Sequence, residues 1–445
     1  MPVVRDLRVL LQLRDFRHLL AVRLLSQSAD GVYQVALATY VVFSPEKETS
    51  AAAIASAMAV LLLPYSLLGP FAGVLLDRWR RRQVLLHGNL MRSALAAGTA
   101  VLVLAQVPEW LFYVSALSVT AVNRFVLAGL SASLPRVVDT KERLVMANSL
   151  SPTAGTLAAT AGGGLAFVVR LSGPGESSSD ALVVLLGAAL YLLAGLAALR
   201  MPSDLLGPNP AALQPHLGAA LVSTVRGLVA GLRHLVHRRD PTVALTAMTL
   251  MRFCYGALTV MVLMLCRYAW ADTESGGLAL LGIAVAVSGA GFFAAAVISP
   301  WAIGRLSSLD AHRPDGQLHW VMVCAAAAAI LEPGLGLPFE PAPILIAAFV
   351  LGLITQGAKI ATDTVVQSAI EDDFRGRVFS LYDVLFNVAF VGAAGVAALM
   401  LPPDGTSAAL VAGVAVLYAA TAALLLFHVK HRPAQRTGLD VSRET

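Results

Sequence analysis

The chain has 445 residues, of which 57% are hydrophobic and only 13% charged, and its mean hydropathy is +0.74. A water-soluble domain of this length does not tolerate such a composition, so the sequence excludes soluble proteins and predicts a body embedded in lipid. The net charge of +5 requires no nucleic-acid partner, because the basic residues follow the pattern of membrane topology.

Twelve apolar segments are long enough to cross a bilayer as helices, since a hydrocarbon core of roughly 30 Å requires about 20 helical residues. Helices are expected because a backbone in lipid must satisfy its own hydrogen bonds and because the segments lack the alternating pattern of barrel strands. The predicted fold class is therefore an all-α polytopic membrane protein with twelve transmembrane helices. In chain order, the predicted spans are residues 18–43, 51–76, 84–105, 111–135, 144–169, 181–199, 241–269, 277–304, 319–337, 343–367, 378–401 and 407–428.

The distribution of Lys and Arg predicts the orientation of these spans. When both termini are placed in the cytoplasm, most of the 32 basic residues fall in cytoplasmic segments, and the outer loops carry only Lys47, Arg170 and Arg267. The N-terminal sequence has frequent charges and no small-residue cleavage site, so the first span is expected to act as its own insertion signal. We expect a monomeric, multi-pass protein of the bacterial plasma (inner) membrane.

Cysteines and catalytic motifs give no support for a metal site, a cofactor or an enzyme. Cys254, Cys266 and Cys324 fall inside predicted spans without metal-ligand spacing, so we interpret them as small core residues. The sequence contains no HExxH, no GxxxxGK followed by Ser or Thr, and no GxSxG. It therefore lacks the visible chemistry of an intramembrane enzyme or a nucleotide-driven pump, and a gradient is the expected energy source.

Weak internal similarity predicts two related halves of six helices, a plan that is common in transporters. Three matches occur in order along the chain, pairing Asp30-Gly31 with Tyr255-Gly256, Asp77-Arg78 with Gly304-Arg305, and Arg143 with Arg375. The predicted domains are an N-terminal six-helix bundle (1–200), a cytoplasmic linker (201–240), a C-terminal six-helix bundle (241–429) and a cytoplasmic tail (430–445). The linker contains apolar residues at helical spacing opposite arginines, which predicts an amphipathic helix on the inner leaflet.

The most specific motif is GVLLDRWRRRQVL, from Gly73 to Leu85, in the loop predicted between the second and third spans. A carboxylate at the end of a helix can meet the partly positive N-terminus of a neighbouring helix, and the arginines can pair with acids on other inner loops. The motif resembles the signature loop of the major facilitator superfamily, with Arg80 where that family usually has glycine. With the helix count and the repeat, the resemblance covers nearly the whole chain.

The resemblance implies that this loop is a gate. In the family, the aspartate docks against the cytoplasmic start of the eleventh helix, here near Val378, and latches the halves while the site faces outward. The gating residues implied in this loop are Gly73, Asp77, Arg78, Arg81 and Arg82. The alternative is that the arginines only enforce the positive-inside rule.

Within the superfamily, the layout resembles the branch of bacterial drug and siderophore exporters. The fifth span, with the sequence PTAGTLAATAGGG, is rich in glycine like the antiporter signature of drug exporters, but it lacks the Gly-Pro pair. Export is therefore favoured, and tight helix packing is the preferred interpretation of these glycines.

Eight ionisable residues stand out within the predicted spans, where each costs on the order of 2.5 to 3.5 kcal/mol by insertion scales. Six of them lie on the first, fourth, seventh and tenth spans, which line the central cavity in the family that the chain resembles. The eight are Arg23, Asp30, Arg92, Arg124, Arg252, Lys359, Asp363 and Asp383.

Depth along the helices separates these residues. Asp30 and Arg252 lie roughly 17 to 18 Å from the inner ends of their spans, and Arg124 lies about 20 Å from the outer end of its span, so all three are expected near the midplane. Asp30 with Arg124 or Arg252 could load and release a proton as the cavity opens to alternate sides, and a permanent ion pair that fixes helix packing is the alternative. Lys359 and Asp363 are four residues apart and are expected to form a structural or gating pair.

The remaining ionisable residues are expected to be structural, with Arg23 and Arg92 snorkelling to the inner surface. Polar and aromatic residues of the cavity helices could shape a substrate pocket, and these are Tyr33, Gln34, Asn123 and Tyr255. The excess of basic over acidic residues inside the bundle suggests an anionic or zwitterionic substrate.

These patterns predict a secondary active transporter, and proton-coupled export of small amphipathic compounds, such as drugs or siderophore-like metabolites, is the leading hypothesis. Two non-identical halves suit alternating access better than a channel, which requires a selectivity element repeated around an axis. Uptake or lipid translocation by the same fold is one alternative. A transport-inactive membrane receptor or scaffold is the other.

Overall fold

The computed structural model describes residues 10–43, 50–52, 54–56, 58–59, 71, 79–105, 109–139, 141–172, 176–207, 217–271, 273–309 and 316–431. None of these described residues lies in a β-strand, and long helices dominate. The chain divides into two compact units, the first comprising Met1–Thr49 with Ser56–Arg226 and the second Ser50–Ala55 with Gly227–Thr445. The predicted all-helical class is confirmed for the described residues, whereas the number of spans and the side of each terminus stay predictions.

The long helices described in the first unit correspond to the predicted first, third, fourth, fifth and sixth spans. Helix α1 packs against α4 and α5, while α2 packs against α3 and α5. Most of the predicted second span, 51–76, lies outside the described residues. The helices are α1 (Arg14–Phe43), α2 (Arg81–Leu104), α3 (Glu109–Ser133), α4 (Lys141–Ser172) and α5 (Glu176–Ala198).

The second unit contains helices at all six positions predicted for its half, preceded by the linker helix α6 (Leu217–His237). Helix α7 packs against α10, α11 and α12, and α9 packs against α10 and α12. A π-helical turn, Leu265–Ala269, extends α7. The six helices are α7 (Arg239–Met264), α8 (Glu274–Leu309), α9 (Gly316–Gly336), α10 (Pro341–Ala369), α11 (Asp372–Met400) and α12 (Ala408–Lys430).

Nine helices in the described part of the chain are long and apolar enough to cross a membrane, namely α3 to α5 and α7 to α12. Helices α1 and α2 are not among them, although both coincide with predicted spans. Their buried faces carry polar and charged side chains, including Asp30 on α1 and Arg92 on α2, which lower the mean hydropathy. The two most polar helices of the first unit are therefore those that contribute its buried ion pair.

Glycines at corresponding positions of the two units allow a close approach between helices. A Cβ atom on Gly31 of α1 would lie 1.9 Å from the carbonyl oxygen of Ala159 on α4, and one on Gly256 of α7 would lie 2.9 Å from the carbonyl oxygen of Phe390 on α11. The repeat predicted from the sequence pairs these two glycines, and each contacts the fifth helix of its half. The two units therefore share this close approach of helices, while the repeat stays a prediction.

The glycine-rich stretch of α4 serves the same close packing. A Cβ atom on Gly162 would lie 2.1 Å from the carbonyl oxygen of Ser28 on α1, and one on Gly155 would overlap the side chain of Gln27. Gly164, by contrast, faces open space. The structure thus agrees with the packing interpretation of this segment at Gly155 and Gly162.

The linker helix α6 is amphipathic, as predicted, and its C-terminal half packs against the beginning of α11. The ring of His234 stacks on Phe374 with centroids 4.4 Å apart, and Arg238 forms an ion pair of 2.6 Å with Glu371. The other side of α6 exposes an apolar stripe at helical spacing, formed by Val222, Val225, Val229, Leu232 and Val236. The stripe suits the predicted contact with lipid, whereas the attachment to α11 was not predicted.

Candidate functional site

The first unit contains a buried ion pair between α1 and α2. Nη1 of Arg92 donates to Oδ1 of Asp30 at 2.8 Å, and the side chains are 0% and 6% exposed. The hydroxyl of Tyr191 on α5 donates to the same carboxylate oxygen at 2.7 Å, and its ring lies 4.3 Å from the Arg92 guanidinium carbon. Three helices therefore enclose a single carboxylate.

Arg92 is held by further polar groups around the same point. Its Nη1 also donates to Oδ1 of Asn123 on α3 at 2.7 Å, and its Nη2 donates to Oγ of Ser26 on α1 at 2.7 Å. Asn89, one turn earlier on α2, accepts a further short hydrogen bond from Nη2 and donates its own amide to the carbonyl of Leu85. This arrangement satisfies both terminal nitrogens of the guanidinium, as a charge away from water requires.

This geometry corrects two predictions. Arg92 does not snorkel to the inner surface, because its side chain turns into the unit and is fully buried. Within the first unit, the ion-pair partner of Asp30 is Arg92 rather than Arg124. Arg124 is partly buried and follows Asn123 directly, so its side chain leaves α3 about 100° around the helix from the one that joins the network.

Arg23 is a second buried arginine of the first unit, one that also fails to snorkel. It lies on α1 and is 4% exposed. Its guanidinium donates to Oγ of Ser151 on α4 at 2.7 Å, to Oγ of Ser131 on α3 at 3.3 Å and to Oε1 of Gln27 at 3.2 Å. Neutral hydroxyl and amide groups thus hold this charge within the first unit, where α1, α3 and α4 meet.

In the second unit, Arg252 of α7 lies among aromatic rings. Its guanidinium carbon is 4.2 Å from the ring centre of Phe386, 4.4 Å from that of Phe390 and 5.0 Å from that of Tyr255. No carboxylate of the described residues forms an ion pair with it, and its Nε is buried without a hydrogen-bond partner. We call Arg252, Tyr255, Phe386 and Phe390 the Arg252 cluster.

The predicted pair on α10 forms next to an aromatic side chain of α11. Nζ of Lys359 lies 2.6 Å from Oδ2 of Asp363, which confirms the pairing expected from their spacing of four residues. The same ammonium group lies 5.6 Å from the ring centre of Tyr382. Both charged side chains are partly exposed, at 36% and 26%. The pair therefore stays accessible, unlike the enclosed pair of the first unit.

The other predicted pocket residues have different surroundings. Tyr33 is buried in the core of the first unit, where its hydroxyl lies 3.2 Å from Oγ1 of Thr99 and its ring makes an edge contact with Tyr191. Gln34 is exposed on α1. Asn123 joins the Arg92 network, and Tyr255 belongs to the Arg252 cluster. Tyr33 thus packs in the core of its unit, and the pocket roles of all four residues stay predictions.

Only part of the predicted gating loop can be located. Gly73, Asp77 and Arg78 lie outside the described residues. Nη1 of Arg81 donates to the carbonyl of Ala132 at 2.8 Å and to that of Leu206 at 3.3 Å, so this arginine joins the end of α3 to the segment after α5. Arg82 is partly buried on the first turn of α2. Their contribution to a gate stays a prediction.

Sequence reasoning missed two residues that carry polar chemistry inside the units. The sequence carries no signal for Tyr191, because a tyrosine in a long apolar span is ordinarily a packing residue. Glu332 was overlooked although it lies within the predicted span 319–337, and it is 4% exposed in the structure. Its position inside a span was a sufficient signal. Among the described residues, no three His, Cys, Asp or Glu side chains are grouped as a metal site would require.

Long apolar helices with enclosed charges define a multi-pass membrane protein, and solved structures share its fold. The nucleoside transporter NupG matches with a TM-score of 0.59 at 16% identity, over 93% of this chain and 100% of that one. The peptide transporter POT in complex with sulfate matches with a TM-score of 0.65 at 12% identity, over 94% of each chain. At these identities the likeness concerns the fold alone, which is that of a membrane transporter.

Two curated relatives then give the family. Uncharacterised MFS-type transporters of Mycobacterium bovis and Mycobacterium tuberculosis are each 35% identical to this chain over 394 residues, covering 88% of it and 86% of the relative. No family model matches the chain. The chain belongs to the major facilitator superfamily of membrane transporters.

Proposed function

We propose that this protein is a proton-coupled secondary transporter of a bacterial plasma membrane. It exports small amphipathic compounds across that membrane by alternating access. The observation that carries the proposal is the enclosed carboxylate of Asp30, bound by Arg92 and Tyr191. This carboxylate is an ionisable group inside a membrane helix, and contact with lipid does not explain its presence there. Ionisable groups in such positions mark proton or substrate pathways.

A proton can act on this pair in a defined way. Protonation of Asp30 removes the negative charge that holds Arg92, and the buried guanidinium then requires another anion or a different position. Ser26, Asn89 and Asn123 keep hydrogen bonds to Arg92 in either protonation state. Uptake of a proton can therefore shift α1 relative to α2 without unfolding the unit, as coupling to an alternating conformation requires.

The Arg252 cluster supports the choice of substrate class. A guanidinium that stacks on aromatic rings keeps its in-plane N–H groups for an anion, while the ring faces accept an apolar or aromatic body. This combination suits compounds with an acidic group and an aromatic or apolar part. The proposed substrates are therefore anionic or zwitterionic amphipaths, including catechol-type metabolites and acidic drugs.

Proteoliposomes containing the purified full chain test the proposal. Carboxyfluorescein, an anionic aromatic probe, and ethidium, a cationic one, are loaded separately, and an imposed pH gradient drives the flux. Wild-type protein is expected to move carboxyfluorescein against its concentration gradient, and Asp30→Asn is expected to abolish the pH-driven part. The double variant Asp30→Asn/Arg92→Gln gives the same test with no charge left unpaired, should the single variant fail to fold.

A matched control carries the same chemical change at an exposed ion pair. Asp204 pairs with Arg80 at 3.2 Å, and their side chains are 78% and 57% exposed, so Asp204→Asn is expected to transport normally. Undiminished pH-driven flux in Asp30→Asn contradicts the proposal. Accumulation in the direction of uptake, flipping of a fluorescent phospholipid or the absence of any flux would favour the uptake, lipid-translocating or receptor alternatives respectively.

A further inference from the structure

A buried carboxylate of the second unit takes no part in the Arg252 cluster. Glu332 lies on α9, four residues before the helix ends at Gly336, which places it about 6 Å inside that end. The side chain is 4% exposed, and its Oε1 has no hydrogen-bond partner among the described residues. A carboxylate in such surroundings is strongly unfavourable when charged, so the site demands a bound proton or a cation.

Two other polar side chains with little or no hydrogen bonding lie nearby. Tyr418 of α12 is completely buried and its hydroxyl has no partner among the described residues, although the carboxylate of Glu332 acts on it electrostatically. Cys254 of α7 is also buried within electrostatic range of Glu332, and its thiol makes a long contact of 3.9 Å with the carbonyl of Val414. We call Glu332, Tyr418 and Cys254 the Glu332 site.

The helix itself leaves a further hydrogen-bond acceptor about one turn before Glu332. Pro333 follows Glu332 within α9 and has no N–H, so the carbonyl of Ala329, one turn earlier, receives no helical hydrogen bond from it. A protonated carboxyl needs an acceptor for its O–H, and both this carbonyl and the Tyr418 hydroxyl can serve. The local backbone therefore provides for a neutral Glu332.

Among the residues that the structure describes, no fixed positive charge interacts with the carboxylate. Helix α9 packs against α10, α12, α8 and, at few points, α7. The titratable groups that face Glu332 are Tyr418 from α12 and Cys254 from α7, with Tyr255 beyond Tyr418. Among the described residues, neither α8 nor α10 places a charged group in interaction with it. A hard metal cation takes about six oxygen ligands, more than the carboxylate, the phenol and the carbonyl of Ala329 supply, so the proton is the fitting occupant.

We propose that the Glu332 site is a second proton-binding site, in which Glu332 takes up one proton and, when that proton leaves, the Tyr418 hydroxyl turns to donate to the carboxylate. In the deprotonated state the phenol donates to the carboxylate, and in the protonated state the carboxyl group donates to the phenol oxygen or to the carbonyl of Ala329. One O–H bond forms on Glu332 and one proton leaves the aqueous phase. The proposal rests on the proposed proton-coupled transport and adds a second proton to its cycle.

Carbodiimide labelling tests proton binding without any transport. Dicyclohexylcarbodiimide is apolar and reacts with protonated carboxyl groups, so mass spectrometry of the purified full chain reports the neutral fraction of Glu332 at each pH. Labelling at Glu332 is expected to fall as the pH rises from mildly acidic to alkaline and to be absent in Glu332→Gln. Tyr418→Phe removes a donor to the carboxylate and is expected to move the midpoint to higher pH. Labelling that does not change with pH, or that never occurs, overturns the proposal.

The number of coupled protons provides the second measurement. Loss of one proton from the cycle lowers the steady-state accumulation of carboxyfluorescein in proteoliposomes about tenfold for each unit of imposed pH gradient. Glu332→Gln is expected to show this loss with unchanged probe binding, and Glu340→Gln, the same change at an exposed residue just after α9, is expected to show none. Unchanged accumulation in Glu332→Gln overturns the second proton.

The two proposals fail in different ways. If wild-type protein shows no pH-driven flux while labelling of Glu332 still titrates, the proposed function fails and the proton-binding site remains. If Asp30→Asn abolishes the flux while labelling of Glu332 is insensitive to pH, the Glu332 site fails and the proposed function remains.

Discussion

The guanidinium of Arg92 bonds to the carboxylate of Asp30 at 2.8 Å, across 62 residues of sequence, with almost no exposure of either side chain. Removing one partner of such a pair leaves an uncompensated buried charge, which costs about 3 to 5 kcal/mol, whereas removing both charges together can be nearly neutral. Single and double substitutions of Asp30 and Arg92 can therefore separate the effect of the pair on protein stability from its effect on coupling to the pH gradient.

We expect Asp30→Asn and Arg92→Gln each to lower the melting temperature of the purified protein clearly, because each leaves one charge unpaired. The double variant Asp30→Asn/Arg92→Gln is expected to recover most of that loss while remaining uncoupled from the pH gradient. Thermal unfolding in detergent, followed by intrinsic fluorescence, measures the first effect, and the proteoliposome assay measures the second. A double variant that melts as low as the sum of the single effects would contradict a direct interaction.

Substitution of Arg252 is expected to weaken binding of the anionic probe selectively. A hydrogen bond to a charged group contributes about 1.5 to 3 kcal/mol, so Arg252→Gln should weaken carboxyfluorescein binding roughly tenfold or more and leave ethidium binding unchanged. Arg252→Lys keeps the charge but loses the planar stacking on Phe386 and Phe390, and an intermediate loss is expected. Arg267→Gln, in the middle of the π-helical turn, is the control, and equal losses for both probes would exclude a role in recognising the anion.

The close approach of α1 and α4 predicts a sharp contrast between two glycines. Gly31→Ala places a Cβ atom 1.9 Å from a backbone oxygen of α4, which no rotamer can relieve, and is expected to lower stability by about 3 kcal/mol or more. Gly164→Ala places its methyl group in open space and is expected to be neutral or stabilising, since alanine is the better helix former. Melting temperature and yield of folded protein measure both changes, and equal behaviour would refute the packing.

The attachment of α6 to α11 depends on packing more than on its ion pair. Arg238→Gln removes an exposed ion pair with Glu371, worth at most about 1 kcal/mol, and should leave α6 in place. Gly231→Leu adds bulk where a Cβ atom is already 2.9 Å from Cβ of Arg377, and is expected to detach the helix. The rate of trypsin cleavage within α6 should then rise several-fold for Gly231→Leu only.

Features that depend on local spacing could be predicted from the sequence. Lys359 and Asp363 pair as expected because residues four apart share a helix face. Asp30 was singled out because a carboxylate inside an apolar span is rare. The positions of the helices in the second half followed from the length of each apolar segment.

The partner of Asp30 could not be predicted in the same way. Depth along a helix gives the level of a residue in the membrane but not the direction of its side chain, and that direction decides whether Arg92 reaches lipid headgroups or the interior. The choice between Arg92 and Arg124 depends on which faces of α2 and α3 meet α1, which is a property of tertiary packing. The bond from Tyr191 to Asp30 also depends on tertiary packing, because Tyr191 reaches Asp30 only when α5 lies against α1.

The polarity of α1 and α2 bears on how the protein is made. Among the described helices that coincide with predicted spans, these two are not apolar enough to enter the bilayer by composition alone, and they carry the opposite charges of Asp30 and Arg92. Neutralisation of one charge by the other lowers the cost of transferring both helices into lipid. Insertion of α1 and α2 into the membrane should therefore be cooperative during synthesis. Substitution of Asp30 or Arg92 would then first cause degradation of the newly made protein, before any loss of transport rate is seen.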